Sequence, residues 1–209
     1  MIAQRTRLMP QLGKGPEVRA QLTDWVKTHQ SEGRQIGLVQ RLFSTEGQWF
    51  TVNALADDLA GLDQIRQENT SDADFQTRFA RLAPLLADVP RSIVIERLLA
   101  PASPRTGTLI AQLAFFAPVA GAAPAVRQKL EAFVKDRQAS GMTIALWQRV
   151  FSSEGTSFIV LGRYADLAEL DKHRQAARQA VMDLNVGLAG QLSAAPQIRL
   201  FETLVPLPT

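Results

Sequence analysis

The chain contains the same sequence twice, and this duplication constrains its fold more than any other feature. Pro10 and Gly13 return as Pro118 and Gly121, an offset of 108 positions. The longest matched strings are Gln40-Arg41-x-Phe43-Ser44-x-Glu46-Gly47 and Gln148-Arg149-x-Phe151-Ser152-x-Glu154-Gly155. From Pro90 and Pro196 onward the offset is 106, because the first copy has two extra residues near positions 70–74. Roughly 30 identities over about 70 positions at one spacing are far above chance, so each copy is expected to form one structural unit.

The repeat divides the 209 residues into two halves of ordinary domain size. The first repeat is predicted over residues 1–100 and the second over 109–209. Residues 101–108 contain Pro101 and Pro104 and are predicted to form a short, stiff linker between them.

Composition excludes several classes of function. The chain has no cysteine and two histidines, which excludes disulfides, thiolate ligands and a cysteine nucleophile, and we expect neither a metal nor a cofactor. The net charge is +3 and the charges mostly alternate in sign along the predicted helices, so we expect no nucleic-acid partner. No apolar run reaches membrane-spanning length, and Arg5 and Arg7 interrupt any apolar stretch of a signal peptide. These features predict a cytoplasmic protein with no membrane partner.

Each copy has the pattern strand, helix, strand, strand, helix, strand. The predicted strands are 2–9, 36–43, 49–55 and 92–99 in the first copy, and 109–117, 144–151, 157–163 and 197–205 in the second. The first helix of each copy begins near Pro16 or Pro124 and ends at Gly33 or Gly141. Glycine-containing hairpin turns are predicted at 44–47 and 152–155, and Asp58 and Asp166 are predicted to cap the second helix. That helix is longer and is expected to break where the two-residue insertion falls.

This βαββαβ order is the ferredoxin-like motif, in which two helices cover one face of a four-stranded sheet and the other face is bare. Two such sheets can close their bare faces on each other. The predicted fold is therefore α+β, with two tandem ferredoxin-like repeats that form an intrachain pseudo-dimeric α+β barrel. The same pattern would also arise if the repeats paired between chains, so a homodimer of the duplicated chain stays open.

Several strings resemble a known family. Tyr164-Ala165-Asp166-Leu167-Ala168-Glu169-Leu170-Asp171, followed by Arg174, and the turn Leu12-Gly13-Lys14-Gly15-Pro16 resemble the NIPSNAP branch of the dimeric α+β-barrel superfamily. Antibiotic-biosynthesis monooxygenases and EthD-like proteins are similar in layout. The first copy departs from the pattern, with Ala56 in place of Tyr164 and Gly61 in place of Glu169. The resemblance implies the barrel fold for both halves.

The same resemblance implies two kinds of chemistry. Cofactor-free monooxygenases of this superfamily use an asparagine with aromatic neighbours, and Asn53, Trp49 and Trp147 are residues of those types. Some members use a histidine in the region of His173, which implies a ligand or base there, including a haem ligand. His29, by contrast, is expected to be solvated at the end of its helix.

Strand alternation assigns side chains to two faces. One face is apolar in both copies and is predicted to be the helix-packed core. Its polar exceptions recur as Gln4/Gln112, Gln40/Gln148 and Glu96/Glu202. These residues either hydrogen-bond at the sheet ends or form a paired polar site with the glutamate as a base.

On the other face the two copies differ, with arginines in the first and mostly apolar and aromatic residues in the second. Unpaired guanidinium groups facing apolar residues are unfavourable, and an anionic ligand would relieve that cost unless the side chains reach solvent. The predicted ligand site comprises Arg5, Arg7, Arg41, Trp49, Asn53, Arg97, Phe115, Trp147 and Arg149.

The sequence therefore predicts a small-molecule-binding protein, or a weak cofactor-independent enzyme, that acts on an anionic and partly aromatic compound held between the two sheets. The alternative is a non-enzymatic module for protein–protein interaction or oligomerisation. No catalytic residue is assigned.

Overall fold

A computed structural model describes residues 1–45, 47–102, 107, 109–151 and 155–208. The elements of the first repeat are β1 (Ile2–Leu8), α1 (Gly15–Ser31), β2 (Ile36–Leu42), β3 (Phe50–Ala56), α2 (Leu59–Ser71), α3 (Ala73–Leu82) and β4 (Arg91–Leu99). Those of the second are β5 (Ile110–Phe116), α4 (Ala123–Ala139), β6 (Ile144–Val150), β7 (Ser157–Tyr164), α5 (Leu167–Ala176), α6 (Arg178–Gly187) and β8 (Gln197–Val205). A 3-10 turn, Ala83–Leu85, follows α3.

The fold is α+β, as predicted, and its strands form a closed eight-stranded antiparallel barrel. The strand order is β1-β3-β2-β8-β5-β7-β6-β4. In the first repeat β3 pairs with both β1 and β2, and in the second β7 pairs with both β5 and β6. The registers correspond, because Ile2 lies opposite Ala56 and Ile110 lies opposite Tyr164.

The chain forms two compact units whose boundaries fall inside β4 and β8. The first unit is Met1–Ile95 together with the chain from Glu202 on, and the second is Glu96–Phe201. Each of these two strands therefore contributes residues to both units.

One helix packs on the sheet in each unit and forms the core. Val18, Leu22 and Val26 of α1 are at most 1% exposed and cluster with Leu38 and Phe50 of the strands. The second unit repeats this cluster with Val126, Leu130, Val134, Leu146 and Phe158. The face predicted to be apolar is thus the helix-covered face in both units.

Helix and turn signals are confirmed where the structure describes them. Gly33 and Gly141 follow α1 and α4 with φ of 85° and 83°. Asp58 Oδ1 accepts a hydrogen bond from the Gly61 N–H at 2.8 Å, and Asp166 Oδ1 accepts one from the Glu169 N–H at 2.8 Å. The predicted hairpin turns at 44–47 and 152–155 and the linker at 101–108 lie partly outside the described residues.

The second strand of each copy is shorter than predicted. β2 ends at Leu42 and β6 at Val150, because Phe43 and Phe151 adopt left-handed backbone conformations with φ of 50° and 55°. Such a conformation is strained for a phenylalanine and takes the chain out of the sheet. Both rings are nearly 80% exposed and do not belong to the arginine and aromatic face.

The predicted second helix is two helices in both copies. In the first, the break falls inside the insertion as expected, because Asp72 has an extended conformation and its side chain accepts hydrogen bonds from the N–H groups of Asp74 and Phe75. Asp72 is therefore the N-terminal cap of α3. In the second copy the break falls at Ala177, where the sequence has no insertion or capping side chain.

Within the described part of the chain, no helix has the length and apolar content that crossing a bilayer requires.

The two aspartate caps generate a stability prediction. Asp58→Ala and Asp166→Ala should each lower the free energy of unfolding by about 1 kcal/mol, because each leaves a helix N–H without its acceptor. Urea denaturation measures the change, and Asn substitutions at the same positions should retain most of the stability. Equal stability of the Ala and Asn variants would show that the caps contribute nothing.

Candidate functional site

The first unit contains a cavity of about 580 Å³ between its helices and the covered face of its sheet. The strands contribute Gln4, Thr6, Leu8, Ile36, Val52, Ala54 and Ser92 to the lining. Helices α1, α2 and α3 contribute Leu22, Trp25, Ile65, Asn69, Phe75, Phe79 and Leu82, among others. The cavity opens to solvent, because Ser92 and Phe79 are exposed.

A polar cluster lies on the strand side of the cavity. Gln4 and Thr6 alternate with Arg5 on β1, so both side chains point to the helix-covered face. Ser92 Oγ lies 2.7 Å from Thr6 Oγ1 and accepts a hydrogen bond from Gln4 Nε2 at 3.2 Å. Two hydroxyl groups and one amide thus face a space whose other strand residues are apolar, and each can donate or accept a hydrogen bond.

Aromatic rings lie on the helix side of the cavity. The Trp25 and Phe75 ring centroids are 5.7 Å apart, and Phe75 stacks on Phe79 at 6.3 Å with an interplanar angle of 4°. These separations are typical of favourable aromatic pairs. They place flat apolar surface opposite the polar cluster.

Charged residues surround these rings. Arg78 donates to Asp24 Oδ2 at 2.8 Å and to Asp74 Oδ2 at 2.6 Å, which ties α3 to α1. The bond to Asp74, and then the bond to Asp24, raises the pKa of Arg78. Arg34 Nη1 donates to Asn69 Oδ1 at 2.6 Å, so the Asn69 amide is oriented with its N–H₂ group away from that bond.

Much of the polar lining is found only in the first copy. Six of its polar residues have apolar counterparts in the second copy, in the pairs Thr6/Ala114, Asp24/Ala132, Arg34/Met142, Asn69/Ala177, Arg78/Leu184 and Ser92/Ile198. Gln21/Lys129, Gln35/Thr143 and Thr77/Asp183 are polar in both copies. The core residues and Gln4 are kept, as Leu22/Leu130 and Gln4/Gln112 show. Differences between the two copies on the helix-covered face therefore indicate this cavity in the sequence. The predicted ligand site was based on such differences on the other face only.

The second unit fills the corresponding place with a tyrosine ring. Gly162 is the counterpart of Ala54, and a Cβ at Gly162 would lie 2.5 Å from the hydroxyl of Tyr164. Tyr164 is only 5% exposed, and its counterpart in the first copy is Ala56. The first unit has the small Ala56 where the second has Tyr164, so the space next to the lining residue Ala54 is not filled by a tyrosine ring.

The residues of the predicted ligand site lie outside this cavity. In the first unit, Arg5 Nε donates to Asn53 Oδ1 at 3.0 Å. The guanidinium carbons of Arg7 and Arg41 lie 4.5 and 4.1 Å from the Trp49 ring centroid. These arginines therefore have partners within the protein, and Trp49 is only 1% exposed.

The other four residues of that set belong to the second unit. The Arg97 guanidinium lies 5.9 Å from the Trp147 ring centroid. The Phe115 ring lies 4.8 Å from the guanidinium of Arg199, which the prediction did not include. Arg149 lies on β6 at the same face as Trp147. A joint role of the nine residues in one ligand site stays a prediction.

Neither histidine lines the cavity. The expectation that His29 is solvated is wrong, because it is 4% exposed, its Nδ1 lies 2.7 Å from Glu32 Oε2, and the Trp25 ring packs edge-on against it. His173 packs against Tyr164, and its Nε2 lies 3.6 Å from Glu169 Oε1. The cavity therefore offers no imidazole to a haem, and haem does not fit its residues. Across the described ranges, no group of three or more acidic or histidine side chains could hold a metal ion.

Comparisons with known proteins identify the fold. No protein-family model and no curated protein matches the sequence. Among solved structures, a proposed monooxygenase from Fusobacterium nucleatum has a TM-score of 0.77 at 9% identity, over 99% of this chain and 94% of that one. A second proposed monooxygenase, from Lactobacillus acidophilus, has a TM-score of 0.67 at 10% identity, over 98% of each chain. An anthrone oxidase-like protein has a TM-score of 0.62 at 11% identity, over 97% and 91%.

These structural neighbours are dimeric α+β-barrel proteins. At such low identities the likeness defines the fold of this chain and nothing finer. The specific resemblance to the NIPSNAP branch stays a prediction.

The buried Tyr164 generates a prediction of pH dependence. Burial, and then the charge of Glu169, raises the pKa of Tyr164 to about 12. In the unfolded chain the pKa is about 10, so between these values the unfolded state loses a proton that the folded state keeps. The free energy of unfolding should therefore fall as the pH rises from about 10 to about 12, by roughly 3 kcal/mol over the full window.

The chain has one tyrosine, so the ultraviolet absorbance of tyrosinate reports this group alone. The native protein should titrate well above the same protein in denaturant. Glu169→Gln should lower the native pKa and leave it above 10, because burial is the larger cause. A native titration near pH 10 would show that the ring is accessible to water.

Proposed function

We propose that this protein binds a small organic compound in the cavity of the first unit, with a flat apolar body against the aromatic rings and a hydrogen-bonding group at the polar cluster. The observation that carries the proposal is the cavity itself. Its volume of about 580 Å³ lies within the range of about 300–1,000 Å³ typical of small-molecule sites. A mostly apolar lining with a few convergent polar groups is also typical of such sites.

The lining favours a weakly acidic compound. Three arginines line the cavity, and two of them have carboxylate partners. Arg78 pairs with Asp24 and Asp74, and Arg34 lies within 4 Å of Glu32 and Glu68. Arg81 is the cation of the lining that can meet an acidic group. A phenol or a carboxylic acid with an aromatic body fits both this charge and the rings. This ligand is the anionic, partly aromatic compound that the sequence predicts, placed on the helix-covered face of one sheet instead of between two sheets.

The second candidate function is cofactor-independent oxygenation of such a compound. It is favoured by Asn69, which lines the cavity beside Trp25 and whose amide is oriented by Arg34. An N–H donor at this place would stabilise the oxyanion of an enolate or phenolate. In anthrone oxidation, O₂ takes two hydrogens from the CH₂ group as water and leaves its other oxygen as the new carbonyl. Three fold neighbours bear monooxygenase or anthrone oxidase-like names.

We further propose that the two repeats are ferredoxin-like units that form a pseudo-dimer within one chain, with domains at 1–100 and 109–209. The strand orders β4-β1-β3-β2 and β8-β5-β7-β6 support this, because each is the order of a ferredoxin-like sheet. A closed barrel also leaves no free strand edge among its eight strands, which removes edge pairing as a route to the alternative role in protein interaction.

A binding experiment tests the first candidate. The probe is 1-naphthol, and its affinity is measured by calorimetry together with the shift of the Trp25 indole N–H signal in nuclear magnetic resonance. The double variant Thr6→Ala/Ser92→Ile introduces the residues of the second copy, Ala114 and Ile198, which the same fold accepts. It should weaken binding about 10- to 30-fold, because two hydrogen-bonding groups are lost.

Thr70→Ala is the control, since Thr70 is exposed and outside the lining. It should bind like the original protein. Equal affinity of the double variant and the control would place the probe elsewhere, and no binding by the original protein would remove the proposal for phenols. Native mass spectrometry of the purified protein shows whether a compound is retained from the cell.

Oxygen uptake tests the second candidate. With anthrone as the substrate, the protein should consume one O₂ for each anthraquinone formed, above the spontaneous rate. Asn69→Ala, which introduces the counterpart Ala177, should lower the rate at least tenfold with little effect on KM, because the oxyanion is stabilised mainly in the transition state. A rate that Asn69→Ala leaves unchanged would exclude this role of Asn69.

A further inference from the structure

The second unit contains two arginines without acceptors on the sheet face that the helices do not cover. Arg163 lies on the face of β7 opposite to the core residue Phe158. Arg97 lies on the face of β4 opposite to Leu98, which packs against the core. Burial, and then the positive charge of Arg97, lowers the pKa of Arg163. The positive charge of Arg97 thus acts on the Arg163 guanidinium.

Over the part of the chain that the structure describes, neither guanidinium has a hydrogen bond or an ion pair with an acceptor. Arg97 has only the Trp147 ring, at 5.9 Å. Trp147 is only 6% exposed, and its indole N–H is buried without a hydrogen-bond acceptor. Within the described residues, three donors without a hydrogen-bond acceptor thus lie on one face, where an unpaired donor is unfavourable.

This arrangement is not a requirement of the fold. The positions that match Arg97, Trp147 and Arg163 in the first unit are Thr203, Val39 and Leu55. The first unit therefore keeps the same strands with none of the three donors. Its own arginines differ as well, because Arg5 bonds to Asn53 and Arg7 stacks on Trp49.

We propose that Arg97, Arg163 and the Trp147 indole N–H bind the carboxylate group of an organic anion. A planar carboxylate can accept two parallel bonds from a guanidinium and a third from an indole N–H. Apolar neighbours favour an organic acid over inorganic phosphate, since Ala145 and Ile159 lie beside Trp147 in the sheet and are buried. The site shares no residue with the cavity of the first unit and does not rest on the function proposed for it.

Nuclear magnetic resonance provides the test, because the chain has only three tryptophans and Trp147→Phe assigns the indole signal. Benzoate is titrated into ¹⁵N-labelled protein, with inorganic phosphate as a separate arm. Benzoate should shift the Trp147 Nε1–H signal in a saturable way. Arg163→Leu, which introduces the counterpart Leu55, should raise the Kd at least tenfold, whereas Arg178→Leu on the exposed start of α6 should leave it unchanged.

The cavity variant Thr6→Ala/Ser92→Ile separates the two proposals, since it should keep the benzoate-dependent shift of Trp147 and lose only binding reported by Trp25. Benzoate should also raise the melting temperature of Thr6→Ala/Ser92→Ile, and not that of the same variant with Arg163→Leu added. An unshifted Trp147 signal, or an equal shift in Arg163→Leu, would overturn the site. A shift with phosphate alone would overturn its assignment to a carboxylate.

Discussion

The packing of one amphipathic helix on each sheet is the interaction on which the rest of the structure depends. Val18 and Val26 of α1 and Val126 and Val134 of α4 are completely buried against strand residues of their own unit. Burial of such side chains contributes about 1.5–3 kcal/mol each, which is large beside the net stability of a domain. Both copies retain a valine at each of these positions.

The covered face shows how far the two copies differ. In the second unit Tyr164 lies over Gly162 and fills the space, whereas in the first unit Ala56 and Ala54 leave it open. An opening of this kind loses van der Waals contacts, and the first unit compensates with polar residues that water or a ligand can satisfy. A homodimer would have to keep both sites alike, while a duplicated chain can specialise one of them.

Strand and helix signals, caps and the two faces of each sheet were predictable because they depend on residues close together in sequence. Periodicity assigned Leu38 and Phe50 to the core, and Asp58 to a cap, from local pattern alone. It failed at Phe43, where a left-handed backbone conformation carries no local signature in a phenylalanine. It failed also at His29, whose burial depends on packing against Trp25 and pairing with Glu32.

By itself, the sequence predicted an internal repeat and determined which helices and strands each half forms and which strand residues share a face. These follow from local periodicity, whose range is one or two turns of a helix or a few residues of a strand. Only the tertiary structure decided where the cavity lies and which arginines have partners. Gln4 meets Ser92 across 88 positions, and Arg34 meets Asn69 across 35, so these contacts depend on strand register and on how the helices pack. No pattern in either copy encodes such a distance, because the side chains become neighbours only after the sheet and its helices have assembled.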